Sequence, residues 1–196
     1  MKNNFKTIPF LIAICVIGFT TVLRAQSIYK IAESKENNMK LSGTSTLHDW
    51  NMSAQAFNSE AQFVLTGRQI SSLKALTFML AVADLKSGES GLDKNAYKAL
   101  NSGVHQNITY KLTSASVSPE GNKFLVKTHG NLTIAGVTKD ITMDVHAVVN
   151  ADETITCTGS EKLNMTDYQV KPPKFMLGAM KTGDAIILDF TLVYKK

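Results

Sequence analysis

Cysteine, proline and tryptophan are scarce in this chain: two, four and one in 196 residues. The two cysteines, Cys15 and Cys157, are far apart, and Cys15 sits inside an N-terminal apolar run. No C-x-x-C or H-x-x-x-H pair occurs, so the usual spacings of a zinc site or a redox dithiol are missing. No basic cluster with interleaved aromatics is present, so nothing supports a nucleic-acid partner. A P-loop and a nucleophile elbow are also missing. The longest apolar stretch, Ile8 to Phe19, falls short of the roughly 20 residues a bilayer-spanning helix needs. There is no long linker, low-complexity tract or charge block, which suits one domain with a real core.

That apolar stretch is the first positive feature. Lys2 and Lys6 precede it, and Thr20 to Gln26 follow it with Ala25 at the point where cleavage would fall. A charged start, a short apolar centre and a small residue at the cut describe an export signal. Residues 1–25 are therefore read as a signal peptide and 26–196 as the mature domain, placed in the periplasm. Leu23 departs from the small residue favoured three positions before a cut. An uncleaved anchor and a lipidated Cys15 are the competing readings, but Ile14 is bulky for a lipidation site and Cys15 lies within the run. Removal of Lys2, Lys6 and Arg24 lowers the formal charge from +5 to +2, three fewer cations. Only Cys157 then remains, which rules out an internal disulfide although the compartment would permit one.

Strand patterns fill the rest. In Ala185 to Tyr194, the residues Ile186, Leu188, Phe190, Leu192 and Tyr194 share one face, with Asp189 and Thr191 opposite. Phe124, Val126, Leu132 and Ile134 form one face of the segment Phe124 to Ile134. Ile141, Met143, Val145, Ala147 and Val149 form one face of the next. If Ala135-Gly136 is a two-residue turn, Ile134 meets Val137, Gly130 meets Ile141, Val126 meets Val145 and Phe124 meets Ala147. Shifting that register by one residue would set each apolar position against a polar one. The pattern therefore predicts a long, tight hairpin.

Further strands are expected over Lys40 to Thr46, His48 to Phe57, Ala61 to Thr66, Leu73 to Val82, Ile108 to Val117 and Thr154 to Leu163. One helix is expected over Leu92 to Asn101, with Asp93 near its start and an apolar stripe of Leu92, Ala96, Ala99 and Leu100. This implies an all-β antiparallel barrel or sandwich of about eight strands with one short helix. A barrel of that size is either filled by its side chains or hollow enough for a small ligand.

Five pieces stand out in order: Ser45 to Trp50, Gly91 to Leu100 with His105 and Ile108 to Tyr110, Gly130 to Lys139, Leu163 to Tyr168, and Phe175 to Asp184. Taken together they resemble the YceI-like family of periplasmic polyisoprenoid-binding proteins. The resemblance covers nearly all of the mature chain. It implies an extended, lipocalin-like barrel with an elongated apolar cavity holding a polyisoprenoid or another long-chain amphiphile. The prolines of Lys171 to Lys174 depart from better-known members, and no head-group residue of the family maps onto a position here.

The candidate cavity lining consists of inward positions. These are Trp50, Met52, Phe78, Leu80, Tyr110 and Leu112 in the first half, then Phe124, Val126, Leu132, Met143, Val145, Phe190 and Leu192. Flexible Met and flat aromatic rings suit an irregular greasy ligand, although an ordinary packed core would show the same pattern. His48 and Lys174 are the candidate head-group contacts. His48 shares a face with Trp50, and Lys139, Lys171 and Lys181 are further cations expected near a barrel mouth. His129 and His146 stand about 13 Å apart in the hairpin register, too far to share a metal. Ser71 to Lys74 and Lys181 to Gly183 match two short motifs of penicillin-interacting enzymes, but the first opens a strand where that chemistry needs a helix.

No cofactor, metal or catalytic set is expected. The reading is a carrier that buries a long-chain lipid or isoprenoid, as a monomer or homodimer with room for a transient membrane contact. Its rivals are a filled-barrel interaction module and, further off, an enzyme acting on an apolar substrate.

Overall fold

The structure is a computed structural model and describes residues 27–175 and 180–196. Residues 1–25, the expected signal peptide with Cys15 inside it, lie outside the described residues. Eleven strands are present: β1 (Tyr29–Ile31), β2 (Asn38–Ser45), β3 (Trp50–Ala54), β4 (Asn58–Thr66), β5 (Gln69–Ala81), β6 (Asn107–Glu120), β7 (Lys123–Ile134), β8 (Val137–Val149), β9 (Ile155–Asn164), β10 (Lys174–Phe175) and β11 (Met180–Lys195). Among the described residues one α-helix, α1 (Ser90–Ala99), follows β5, and Met165–Tyr168 form a 3₁₀ turn after β9. Eight strands close an antiparallel ring in the order β1, β4, β5, β6, β7, β8, β9, β11 and back to β1. The expected all-β barrel is thus the fold. The sequence reading missed the two shortest strands, β1 and β10, which are too brief to show a period.

The β7–β8 hairpin has the register that parity predicts, from Ile134 opposite Val137 to Phe124 opposite Ala147. Its two turn residues both take positive φ, 49° at Ala135 and 81° at Gly136. That is the turn whose twist matches the strands it joins.

The ring is extended at one end because β11 is long enough to serve two neighbours on one edge. β2 pairs with it over Thr182 to Thr191, and β1 takes over at Tyr194 and Lys195. Buried Asn37 stitches the changeover: its Nδ2 donates to Ala32 O (2.6 Å) and its Oδ1 accepts from Val193 N (2.8 Å). β3 pairs with β2 and then bridges through Ser53 to Lys86, beyond β5, by two backbone hydrogen bonds of 2.8 and 2.9 Å. The upper wall therefore closes through β2 and β3, and the lower wall through β1.

The apolar faces point inward and form the core. The closed end holds an aromatic chain, Tyr29 to Phe63 (centroids 5.5 Å apart) and Phe63 to Tyr194 (5.7 Å). Tyr194 is fully buried, and its hydroxyl lies 2.7 Å from Ser59 Oγ. Ser59 Oγ donates to Thr77 O at 2.7 Å, so the tyrosine is the donor to the serine.

Candidate functional site

Two apolar chambers lie inside the barrel. The deep one has a volume of about 90 Å³, and Phe78, Tyr110, Val126, Leu132, Met143, Val145, Phe190 and Leu192 line it. Met39, Phe63, Ile108, Ile141, Leu188, Cys157, Glu161 and Tyr194 also contribute. The second, about 80 Å³, lies under α1 and is lined by Trp50 and Met52 with Leu41, Leu85, Ile134, Met165, Tyr168, Val170 and Ile186. Ten of the thirteen sequence-chosen positions thus line one chamber or the other. Leu80, Leu112 and Phe124 line neither; Leu80 is packed at 1% exposure, and Phe124 is buried beyond the deep chamber.

The chambers are stacked along the barrel axis. On β11, Ile186 lines the upper chamber and Leu188, the next inward position, lines the deep one. The same two-residue step runs from Ile134 to Leu132 on β7 and from Leu41 to Met39 on β2. Successive inward residues on a strand are about 7 Å apart. The two spaces therefore abut end to end, and an occupant of both must be elongated.

α1 roofs the upper chamber. All four members of its expected stripe, Leu92, Ala96, Ala99 and Leu100, line that chamber. Polar ties hold the helix in place. Tyr97 donates its hydroxyl to Leu85 O at 2.7 Å and accepts from Lys86 Nζ at 2.8 Å. Asp93 Oδ1 accepts from Ser87 N and Oγ at 2.8 and 2.7 Å, which holds its carboxyl below the ordinary range. The 3₁₀ turn forms another part of the rim. Thr166 donates from N (2.9 Å) and Oγ1 (2.6 Å) to the Asp184 carboxylate, while Met165 and Tyr168 point into the chamber. The sequence reading overlooked these two; their spacing of three on either side of the polar pair Thr166-Asp167 was the available signal. Burial pushes the Tyr168 hydroxyl up to about 12, with Asp167 and Glu161 adding to the shift.

A polar vestibule opens beside the upper chamber. Trp50, Leu92, Asn95 and Thr182 line both, and Ser45, His48, Glu89 and Lys181 complete the vestibule. Trp50 lies over Gly43, where a Cβ would come within 2.3 Å of the indole, and donates Nε1–H to Thr44 O at 3.1 Å. His48 is exposed, and its Nδ1 lies 2.8 Å from Asp49 O. A carbonyl only accepts, so Nδ1 carries the proton and Nε2 is the atom open to a ligand. Lys174 is exposed on β10 and does not line the vestibule; its β11 partner Lys181 does.

Cys157 points inward as the alternation implies, and burial pushes its thiol up to about 12. His129 engages Asp140 (3.0 Å) and Thr142 (3.1 Å) on β8, and His146 lies 2.8 Å from Glu120. Among the described residues no three His, Cys, Asp or Glu side chains converge as metal ligands would. The Ser71 to Lys74 motif lies inside β5.

A model of the YceI-like domain matches residues 29–194. The chain belongs to the YceI-like family. A similar barrel occurs in three solved structures. BcnA of Burkholderia cenocepacia is 18% identical with a TM-score of 0.62, over 79% of this chain and 95% of that one. A polyisoprenoid-binding domain from Saccharophagus degradans is 12% identical with a TM-score of 0.64, over 85% and 97%. The YCEI protein of Campylobacter jejuni is 18% identical with a TM-score of 0.55, over 70% and 81%. At these identities the likeness speaks for the YceI-like fold alone. No curated protein matches the chain significantly.

Proposed function

We propose that this YceI-like barrel binds a long-chain lipid of the polyisoprenoid type, sequesters it from water and carries it in the periplasm. The observation that carries the reading is the stacking of two apolar chambers along one axis, which fits a chain better than a compact molecule. The Saccharophagus degradans neighbour, named for polyisoprenoid binding, supports the ligand class. Burial is the mechanism. Each methylene moved from water into the chambers contributes about 0.8 kcal/mol, against an association cost of roughly 4–15 kcal/mol. The vestibule is the place for a polar head, with His48 Nε2 and Lys181 as its contacts. The rest of the proposed lining is the set of chamber-lining residues described above.

A binding role is favoured over a catalytic one by the state of three polar groups at the deep chamber, while the buried Tyr110 hydroxyl is left without a partner there. Thr128 is turned to Met143 O, Tyr194 is bonded to Ser59, and the Cys157 thiol is held protonated. Native mass spectrometry of the mature protein from its own compartment, with extraction of bound lipid, tests the proposal. A stoichiometric long-chain species is expected. An apo mass that stays unchanged on incubation with isoprenoids and fatty acids would overturn it in favour of a filled-barrel interaction module.

A further inference from the structure

The barrel wall is not continuous. β8 and β9 pair from Val149 opposite Ile155 only as far as Val145 opposite Gly159. Beyond that point Val137 to Asp144 pair with β7 alone, and Ser160 to Asn164 pair with β11 alone. Two strand edges thus diverge over about 16 Å of β9, at roughly 3.3 Å per residue. The 3₁₀ turn Met165–Tyr168 packs at the top of this seam.

The interior shows through it. Val145 and Ala147, inward and below the seam, are 8% and 0% exposed. Ile141 and Met143, the next inward residues above, are only half-buried. The same is true of Glu161 on β9 and of Leu188, its partner on β11. All four line the deep chamber. The β5–β6 ladder is also short, ending at Thr77 opposite Lys111; beyond it Ile70 and Leu73 are buried, while Leu76, which lines the deep chamber, is half-buried. What sets the β8–β9 gap apart is a charged residue, Glu161, among the chamber-lining side chains at its edge.

Glu161 explains why the seam stays unzipped. Continuing the register past Val145 and Gly159 would set Met143 opposite Glu161 and Ile141 opposite Leu163. It would also close the apolar chamber over a carboxylate, which costs several kcal/mol unless the charge is paired or lost. An inward-pointing charge is a known device for keeping strand edges apart.

We propose that this seam is a lateral port through which the hydrocarbon chain of the ligand enters and leaves the deep chamber, with Glu161 holding it open. The inference rests on the lipid-binding reading and adds a route to it. A port differs from a lining in one measurable way. Obstructing it slows association and dissociation by the same factor and leaves Kd unchanged, whereas altering a lining residue changes Kd.

The test staples the seam from outside. Asp144 and Ser160, exposed and set opposite each other by the continued register, are both replaced by cysteine and bridged with a bismaleimide. Ser160→Cys carrying one bulky maleimide obstructs the same opening without a bridge. Cys157 is buried and protonated, so it does not compete for reagent. Stopped-flow fluorescence then follows cis-parinaric acid and an anthraniloyl-labelled geranylgeraniol. Both rate constants should fall about tenfold or more at constant Kd, while the same adduct on Ser118→Cys, exposed on β6 and outside both chambers, leaves them unchanged. Rates that are unchanged at the seam and slowed by an adduct on Asn95→Cys at the vestibule would overturn the port and assign entry to the mouth under α1. Failure of both probes to bind the unmodified protein would overturn the lipid-binding reading as well.

Discussion

Two glycines under aromatic rings should separate binding from stability. A Cβ on Gly159 would lie 2.4 Å from Cζ and 2.9 Å from Cε1 of Phe190, both at the far end of that ring. Phe190 borders the deep chamber, so the ring has free space to move into. Gly159→Ala should therefore cost little stability but fill part of the chamber with the displaced ring. If that space holds one or two methylenes of ligand, at about 0.8 kcal/mol each, affinity falls roughly 4- to 15-fold. Gly130 differs. Its Cβ would lie 2.5 Å from Tyr110 Cζ and 2.6 Å from the backbone oxygen of Lys111, which sits in the β6–β7 ladder and cannot yield. Gly130→Ala should cost about 1–3 kcal/mol by overpacking, which lowers Tm by about 2–12 °C in a domain of this size. Thermal unfolding by circular dichroism and titration with a fluorescent long-chain probe read the two effects on the same samples. Equal loss of Tm in both variants, with probe affinity unchanged in Gly159→Ala, would refute the claim that Phe190 borders ligand space.

Shortening a saturated chain by two methylenes should weaken Kd about 15-fold while the chain still fills both chambers, and a competition series with graded chain lengths reads the slope. Tyr194→Phe removes the donor to Ser59 in the closed end and should cost about 1 kcal/mol, seen as a lower midpoint in chemical denaturation with an unchanged slope. Cys157 should resist a thiol reagent at pH 8 in the folded protein and react at once in denaturant, because burial holds the thiol near 12; rapid labelling of the native state would contradict its placement. Glu161 has its carboxyl raised, first by burial and then by Asp144. The folded state therefore holds that proton more tightly than the unfolded chain. Stability from this group is gained as pH falls through the window between the ordinary carboxyl value and the raised one, and lost above it. Glu161→Gln should stabilise the fold at pH 7, by less than about 1 kcal/mol for a half-exposed group, seen as a raised Tm whose gain shrinks toward pH 4.

Parity made the β7–β8 register legible, because a strand with one buried face tolerates no slip of one residue. The helical stripe was legible for a related reason: Leu92, Ala96, Ala99 and Leu100 recur at helical spacing, and all four face one chamber. What alternation could not show is which inward residues meet a void and which meet each other. Leu80 and Leu132 read alike in sequence, yet Leu80 is packed at 1% exposure while Leu132 faces the deep chamber. Packed walls and hollow walls demand the same apolar side chains, and the difference lies in ring closure and strand lengths that no local pattern encodes. The vestibule was half legible. His48 was found from its shared face with Trp50, but Lys174 was chosen over Lys181 because the pairing of β10 with β11 is invisible in a two-residue strand.

The seam, by contrast, left a trace. Along β9 the inward set runs Ile155, Cys157, Gly159, Glu161, Leu163. A glutamate at the fourth place breaks an otherwise apolar or small series, and it does so one inward step after the last pair with β8. A charge on an inward face marks either a paired ion or a wall that stops short. No cation bonds to Glu161 among the described residues, and the nearby Asp144 raises its carboxyl further, so pairing is not what accommodates it. The wall stops instead, and solvent reaches the carboxylate through the opening. Read this way, one out-of-place residue in a periodic strand is informative about access to a cavity whose existence periodicity alone does not reveal.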